Sequence, residues 1–184
     1  MRKAEIMDYI ENKALTAYDN ALGFANAFRL LLSKTSISAL QKTGSYSDAT
    51  MITPTIVNGA FACELFLKAL LKNPPTKGKE AHSLISLIDV YDREQPGKKD
   101  FIQQVCIGVM HNIQGNESYS ESMYNRDLQT MDNAFCDLRY WHEPPKPNSQ
   151  NRNYVYSFDF IQTIVAVLQG ECEKAFGPRP LLTE

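Results

Sequence analysis

The sequence predicts an all-α protein, built as a bundle of about five or six helices. Apolar residues recur at steps of three and four along most of the 184 residues, which is the spacing of an α-helix. Proline-rich turns separate these stretches, at Pro74-Pro75 and again in the segment EPPKPNSQNRN. The alternation typical of strands is weak, and the run VYSF at 155–158 is its only candidate. A chain of this length predicts a single domain, residues 1–184.

The first predicted helix covers about residues 3–33 and carries apolar side chains at mixed three- and four-residue steps. The segment Ser33–Asp48 follows it. We predict a loop there, because the segment is polar and contains Gly44 next to Ser45.

The stretch Met51–Lys72 predicts the central helix of the bundle. Thr53 is placed to cap it, with Pro54 at the first helical position, where a missing N–H costs nothing. The helix should end near Asn73, since the two prolines that follow cannot continue it. Its apolar residues cover most of the circumference, which is typical of a buried helix.

Two charged residues, Glu64 and Lys68, fall within the apolar arc of this helix. They are four residues apart with the glutamate first, which is the favourable order for an ion pair. Two interpretations remain open. Lys68 extends to solvent while pairing with Glu64, or the pair lines a polar interface or pocket that binds another molecule.

Further helices are predicted at about residues 81–91, 100–113 and 126–143, with a polar, irregular segment at 116–125. The last helix should start at Ser157 or Asp159 and run to about Phe176. His82 precedes the apolar run of the helix at 81–91. It either caps or packs at that helix start, or belongs to a binding site, because its near-neutral titration suits both roles.

The helix at 126–143 contains the strongest site candidate. Arg139 lies at the edge of an apolar stripe, and Asp132 and Glu143 fall within about 40° of it on the same face. Such an arginine is either a structural ion-pair partner or a phosphate-binding group presented at an oligomer interface. His142 is three residues further on, within reach of Arg139. Tyr140, with the neighbouring tryptophan, suits either a contact surface or the core.

Composition and spacing exclude several other classes of function. The net charge is −2 and the pI about 5.9, so an overall basic surface for nucleic acid is absent. The four cysteines are far apart and the three histidines scattered, so we expect no metal site and no redox motif. A Walker phosphate loop and a serine-hydrolase elbow are also missing, and we expect no cofactor.

Membrane insertion and secretion are also disfavoured. The start MRKAEIMDYIENKA lacks the apolar core of a signal peptide, and no apolar run approaches 18 residues. The cysteines lie within apolar helical stretches, which suits reduced thiols used as small hydrophobic groups. We therefore expect a cytoplasmic protein without a membrane partner.

The run IVNGAFACELFLKALL, followed by a connector and AHSLISLID, resembles the HEPN superfamily. In that superfamily a buried helix of the type AFxxExxLKALL precedes an HxLxxL helix. The pattern F-x-x-x-R-Y-x-x-E of some HEPN-like proteins is matched at Phe135–Glu143. The resemblance covers about residues 50–176, so the long first helix precedes a HEPN-like core.

This resemblance implies an up-and-down helical bundle that forms a homodimer and associates with RNA. HEPN proteins include metal-independent endoribonucleases of toxin–antitoxin and phage-defence systems, and others bind nucleotides or serve as adaptors. The ribonucleases carry an arginine followed four to six residues later by a histidine. Arg139 matches the arginine, but those later positions hold Glu143, Pro144 and Pro145, and His142 comes one residue early.

If the chain cleaves RNA, the resemblance implies that Arg139 stabilises the scissile phosphate and His142 acts as general acid or base. Three hypotheses follow: an RNA-associated defence, stress or toxin–antitoxin protein, a non-catalytic dimerisation or interaction module, and a nucleotide-binding partner of a cognate nucleotidyltransferase or other protein. The residues assigned to binding are Glu64, Lys68, His82, Asp132, Tyr140 and Glu143.

Overall fold

The fold is described from a computed structural model, which describes residues 3–34, 46–114, 119–139 and 156–179. Within these ranges the structure is all α-helical, apart from turns and one 3₁₀ turn at Lys79–Ala81, and it contains no strand. The helices are α1 (Lys3–Lys34), α2 (Tyr46–Leu70), α3 (Leu84–Glu94), α4 (Lys98–Gln114), α5 (Glu121–Arg139) and α6 (Phe158–Phe176). The predicted all-α bundle is therefore confirmed for the described residues.

Helix α2 is the centre of the bundle, as its apolar circumference predicts. It packs against α1, α3, α5 and α6. Phe66 and Leu67 are fully buried although they point to different sides of the helix. One cluster of buried apolar side chains takes members from all six helices and surrounds α2. Burial on every side explains why this helix lacks a polar face.

The start of α2 differs from the sequence prediction. The helix begins at Tyr46, so Thr53 is not its cap and Pro54 lies inside it. A proline in a helix removes one backbone hydrogen bond. Pro54 itself is exposed at the surface of the bundle. Local sequence rules place a proline at a helix start, whereas here the helix continues through it.

Helix α2 approaches two neighbouring helices closely at Gly59. A Cβ atom at this position would overlap Cγ2 of Ile161 in α6 and lie 3.1 Å from the Phe28 ring in α1. Both neighbours are buried, with 1% and 0% of their surface exposed. The absence of a side chain at residue 59 therefore allows α1, α2 and α6 to meet at one point.

The short helix α3 starts later than predicted, because Ser83 caps it and residues 79–81 form the 3₁₀ turn. The Ser83 hydroxyl accepts a hydrogen bond from the Ser86 N–H. Helix α5 starts earlier than predicted, at Glu121, so part of the segment expected to be irregular is helical. Helix α6 begins after Ser157, as predicted, and this serine accepts a hydrogen bond from the Phe160 N–H.

A buried carboxylate joins the three helices α3, α4 and α6. Glu171 of α6 is 3% exposed and accepts hydrogen bonds from Lys98, Lys174 and the Tyr91 hydroxyl. Burial opposes ionisation of Glu171, but the ammonium groups of Lys174 and Lys98 outweigh it and lower the pKa of this carboxyl. The same two ammonium groups lie 4.9 and 5.6 Å from the centre of the Phe101 ring. This cluster ties α3 and α4 to α6.

No helix among the described residues combines the length and the apolar character needed to cross a membrane.

Candidate functional site

Glu64 is the centre of a charged cluster inside the bundle. Its side chain is 3% exposed, and its Oε1 atom lies 2.6 Å from Lys68 Nζ and 3.1 Å from His82 Nδ1. The exposed fraction of the side chain rises to 20% for Lys68 and 53% for His82. The cluster therefore runs from the buried carboxylate to the protein surface.

The geometry of this cluster explains how α2 tolerates a charge in its apolar arc. Burying an ionised carboxylate without a partner would destabilise the fold by roughly several kcal/mol, so Glu64 needs partners. Lys68 is one helical turn further on and supplies an ammonium group by local geometry. His82 comes from the segment before α3, 18 residues away in sequence. Both interpretations of the Glu64–Lys68 pair agree with this contact, because the pair is bonded and also borders the surface.

The contact with Glu64 also defines the orientation of the His82 ring. An ionised carboxylate only accepts hydrogen bonds, so Nδ1 of His82 is the donor in this pair. In the neutral ring Nε2 is then the acceptor. The contact with the Glu64 carboxylate therefore determines that Nδ1 of His82 carries a proton.

Asp132 of α5 lies next to this cluster. Its Oδ1 accepts a hydrogen bond from the Ile85 N–H at 3.1 Å, and its Oδ2 accepts one from the Ser83 hydroxyl at 3.2 Å. Asp132 therefore adds a second acceptor at the start of α3, beside His82. This carboxylate satisfies backbone and hydroxyl donors at a helix N-terminus, where a negative charge is favourable.

The structure thus brings together four of the residues that the sequence predicts for binding: Glu64, Lys68, His82 and Asp132. Arg139 is the last residue of α5, two turns beyond Asp132, or roughly 10 Å along the helix axis. The side chain of Arg139 lies outside the described part of the chain. Tyr140, His142 and Glu143 also lie outside the described residues.

A groove with a volume of about 650 Å³ lies between α1 and the end of α2. It runs between the first half of α1, the end of α2 and the connector that contains Pro74 and Pro75. Three lysines line it, and the described lining residues include no carboxylate. The lining consists of Lys13, Ala14, Thr16, Ala17, Asn20, Leu65, Lys68, Leu71, Lys72, Asn73, Pro74, Pro75 and Thr76.

Sequence reasoning did not identify Lys13 and Lys72 as site residues. Lys72 is the last residue of the predicted central helix, so its position at the start of the connector was one available signal. Lys13 gave no signal of this kind, because a single lysine in an amphipathic helix is usually a solvated surface residue. Only the packing of α1 on α2 places the two lysines along one groove.

The described cysteines are unsuited to nucleophilic chemistry. Cys63, Cys106 and Cys172 are buried free thiols. Burial raises the pKa of Cys106 to about 12 and also raises the pKa of Cys63 and Cys172. Thiols with raised pKa values remain protonated at neutral pH and pack as small apolar groups. Among the described residues no group of three histidine, cysteine or acidic side chains is placed to hold a metal ion.

Comparison of the chain with protein-family models, curated proteins and solved structures finds no match. The function is therefore argued from the residues and their arrangement.

Proposed function

We propose that the protein is a HEPN-like RNA-associated protein of a defence, stress or toxin–antitoxin type. The supporting observation is the contact between Glu64 and His82. These residues come from the two separate segments that resemble HEPN sequences, and their side chains meet at 3.1 Å. An incidental likeness of two segments would not require a contact between these two polar side chains.

Under the proposal the phosphate is bound beside this cluster and not by Lys68, because the Lys68 ammonium group is paired with the buried Glu64 carboxylate. The half-exposed His82 ring lies at the surface. Under the proposal Arg139, at the end of α5, binds a backbone phosphate through its planar guanidinium group. His142 then acts as general acid or base if the bound RNA is cleaved, and Arg139 stabilises the charge that develops on the phosphate.

The test is a pair of assays with one single-stranded RNA. Fluorescence anisotropy measures RNA affinity, and gel analysis in the presence of a chelator measures metal-independent cleavage. The variants are Arg139→Ala and His142→Ala. Arg93→Ala is the matched control, because Arg93 is an exposed arginine whose side chain bonds only within α3 among the described residues.

Under the proposal Arg139→Ala weakens RNA binding about tenfold or more, while Arg93→Ala binds as the wild type does. His142→Ala retains binding but abolishes any cleavage that the wild type shows. If wild-type protein fails to bind RNA, or if all variants bind equally, the proposed function is wrong.

A second candidate, a non-catalytic homodimeric interaction module, is favoured by one surface of α4. The sequence pattern places Val109 on the inner side of this helix, yet it is 36% exposed in the structure. Phe101 and Ile113 on the same helix are 37% and 51% exposed. Residues 101, 105, 109 and 113 are four apart and form one stripe. Exposed apolar stripes of this kind are typical of contact surfaces between proteins.

The dimer is tested by light scattering, which measures the molar mass in solution. Val109→Glu places a charge in the α4 stripe, and Gln104→Glu places the same charge on an exposed polar position of that helix. A wild-type dimer that Val109→Glu converts to monomer, while Gln104→Glu does not, supports the interaction surface. A monomeric wild-type protein contradicts it.

A further inference from the structure

We propose that the groove between α1 and the end of α2 is occupied by residues 180–184 of the same chain, the sequence PLLTE. These residues follow Arg179 directly and lie outside the described part of the chain. The groove volume of about 650 Å³ lies within the range of about 300–1,000 Å³ that is typical of ligand pockets. The docking involves neither RNA nor Arg139, so it is independent of the function proposed above.

The chain that leads into this segment is held against α1. Gly177 ends α6 with a φ angle of 81°, so the chain leaves the helix direction there. The Phe176 ring lies 5.7 Å from the ring of the buried Tyr18. Arg179 Nε lies 3.1 Å from Asp19 Oδ1. The segment therefore starts at the surface of α1.

Helical periodicity leads from Asp19 into the groove. Asp19, Thr16 and Lys13 are spaced by three residues, so their side chains are neighbours in one row on the surface of α1. Thr16 and Lys13 line the groove, whereas Asp19 is outside its lining. Two steps of about 5–6 Å each separate Asp19 from Lys13 along this row. Five extended residues span roughly 17 Å, so the segment is long enough to reach Lys13.

The alternation of an extended chain decides which side chains face the groove. Successive side chains point in opposite directions, so Leu182 and Glu184 share one side of the segment and Leu181 lies on the other. The groove offers apolar side chains from both helices, with Leu65 and Ala17 among them. Leu182 therefore packs against this apolar lining, which removes apolar surface from water on both partners.

The charge of the groove matches Glu184. The described lining contains three lysines and no carboxylate. Lys68 is already paired with Glu64. Lys13 makes no ion pair with a described side chain, and it is the lysine to which the row from Asp19 leads. Glu184 therefore pairs with Lys13, one carboxylate with one ammonium group.

Covalent attachment makes these few contacts sufficient. One surface ion pair and one buried leucine would hold a free peptide only weakly. A segment that is joined to the protein next to the groove meets it at an effective concentration on the order of millimolar. Another ligand of the groove must displace this segment, so the segment restricts access to the groove.

NMR spectroscopy of the full chain tests the docking, with a synthetic peptide of residues 178–184 as the undocked reference. We expect the amide shifts of residues 181–184 in the protein to differ from those of the peptide. Nuclear Overhauser contacts should join the methyl groups of Leu182 to those of Ala17 or Leu65. Leu182→Ser should move the amide shifts of the segment towards the peptide values. Leu181→Ser is the matched control and should leave the segment docked, because residue 181 faces away from the groove.

The ion pair is tested in the same way. Lys13→Ala should weaken the docking equilibrium about two- to fivefold, the effect of an exposed ion pair, as read from the amide shift of Glu184. Lys99→Ala is the matched control and should leave this shift unchanged, because Lys99 pairs with Asp89 outside the groove.

The inference is overturned if the segment has the amide shifts of the free peptide, or if its methyl groups make no contact with the groove. It is also overturned if the two leucine variants behave alike, or if Lys13→Ala behaves like Lys99→Ala. A mixture of isotope-labelled and unlabelled chains identifies the origin of the segment. Contacts within one chain support the inference, whereas contacts only between differently labelled chains mean that a second copy fills the groove and contradict it.

Discussion

Replacing Gly59 with alanine puts a methyl group at the point where α1, α2 and α6 meet. The new Cβ would overlap Cγ2 of Ile161 and lie 3.1 and 3.3 Å from two carbons of the Phe28 ring. Both neighbours are buried, so neither can rotate into solvent. The methyl group can be accommodated only if the helices separate or a side chain leaves its preferred rotamer.

Two opposing effects determine the stability of Gly59→Ala. Overpacking a core typically costs about 1–3 kcal/mol. Alanine in a helix interior is favoured over glycine by about 1 kcal/mol. Gly23 provides the control, since it lies inside α1 and a Cβ there meets nothing within 4 Å. Gly23→Ala should therefore gain about 0.5–1 kcal/mol from helix propensity alone.

Both variants gain the same helix propensity, so the difference between their free energies of unfolding gives the packing cost at residue 59. We expect Gly59→Ala to be less stable than Gly23→Ala by about 1–3 kcal/mol. Urea unfolding followed by circular dichroism measures this difference directly. The melting temperature of Gly59→Ala should lie below that of Gly23→Ala by about 2–4 °C for each kcal/mol of lost stability. If Gly59→Ala is stabilised as much as Gly23→Ala, the helices are further apart than described and the packing account is wrong.

Substitutions at three further polar contacts are tested by urea unfolding. Glu171→Gln should cost about 1–3 kcal/mol at pH 7. The pKa of Glu171 is lowered on folding, so its contribution is complete above about pH 5 and is lost as the pH falls through the folded value; an unchanged acid-unfolding profile in the variant would contradict this. Tyr119→Phe should cost about 1–3 kcal/mol, because the Tyr119 hydroxyl donates to the buried Asp127 at 3.0 Å. Tyr124→Phe should cost less, since the Tyr124 hydroxyl has no partner among the described residues; equal costs would refute that assignment. Asp132→Ala should cost about 1 kcal/mol through loss of the acceptor at the start of α3, whereas Asp132→Asn, which keeps one acceptor oxygen, should cost less.

Local sequence rules predicted those parts of the fold that depend on neighbouring residues. The start of α6 after Ser157 and the end of α2 shortly before Pro74 both follow from capping and proline chemistry. The predicted start of α2 was wrong because it neglected tertiary packing. Ile52, which precedes Pro54, is partly buried against the core, and this packing favours a helix that continues through the proline. Local signals cannot weigh such packing.

In the candidate site, too, the contact within one helix was predictable and the contacts between helices were not. The Glu64–Lys68 pair was predictable, because a spacing of four residues on a helix determines that contact. The contacts of His82 with Glu64 and of Asp132 with Ser83 span 18 and 49 residues. They depend on how α3 and α5 pack against α2, and no local pattern encodes that packing. Gly59 was missed for the same reason, since its role exists only where three helices meet.

The affinity of the wild-type protein and of His82→Ala for one single-stranded RNA tests the central claim most directly. His82 is half exposed, so its removal should leave helix content and melting temperature nearly unchanged. The account predicts that wild-type protein binds the RNA and that His82→Ala binds it several-fold more weakly. Wild-type protein that shows no RNA affinity, or a folded His82→Ala with full affinity, would contradict the assignment of the Glu64–His82 surface to RNA.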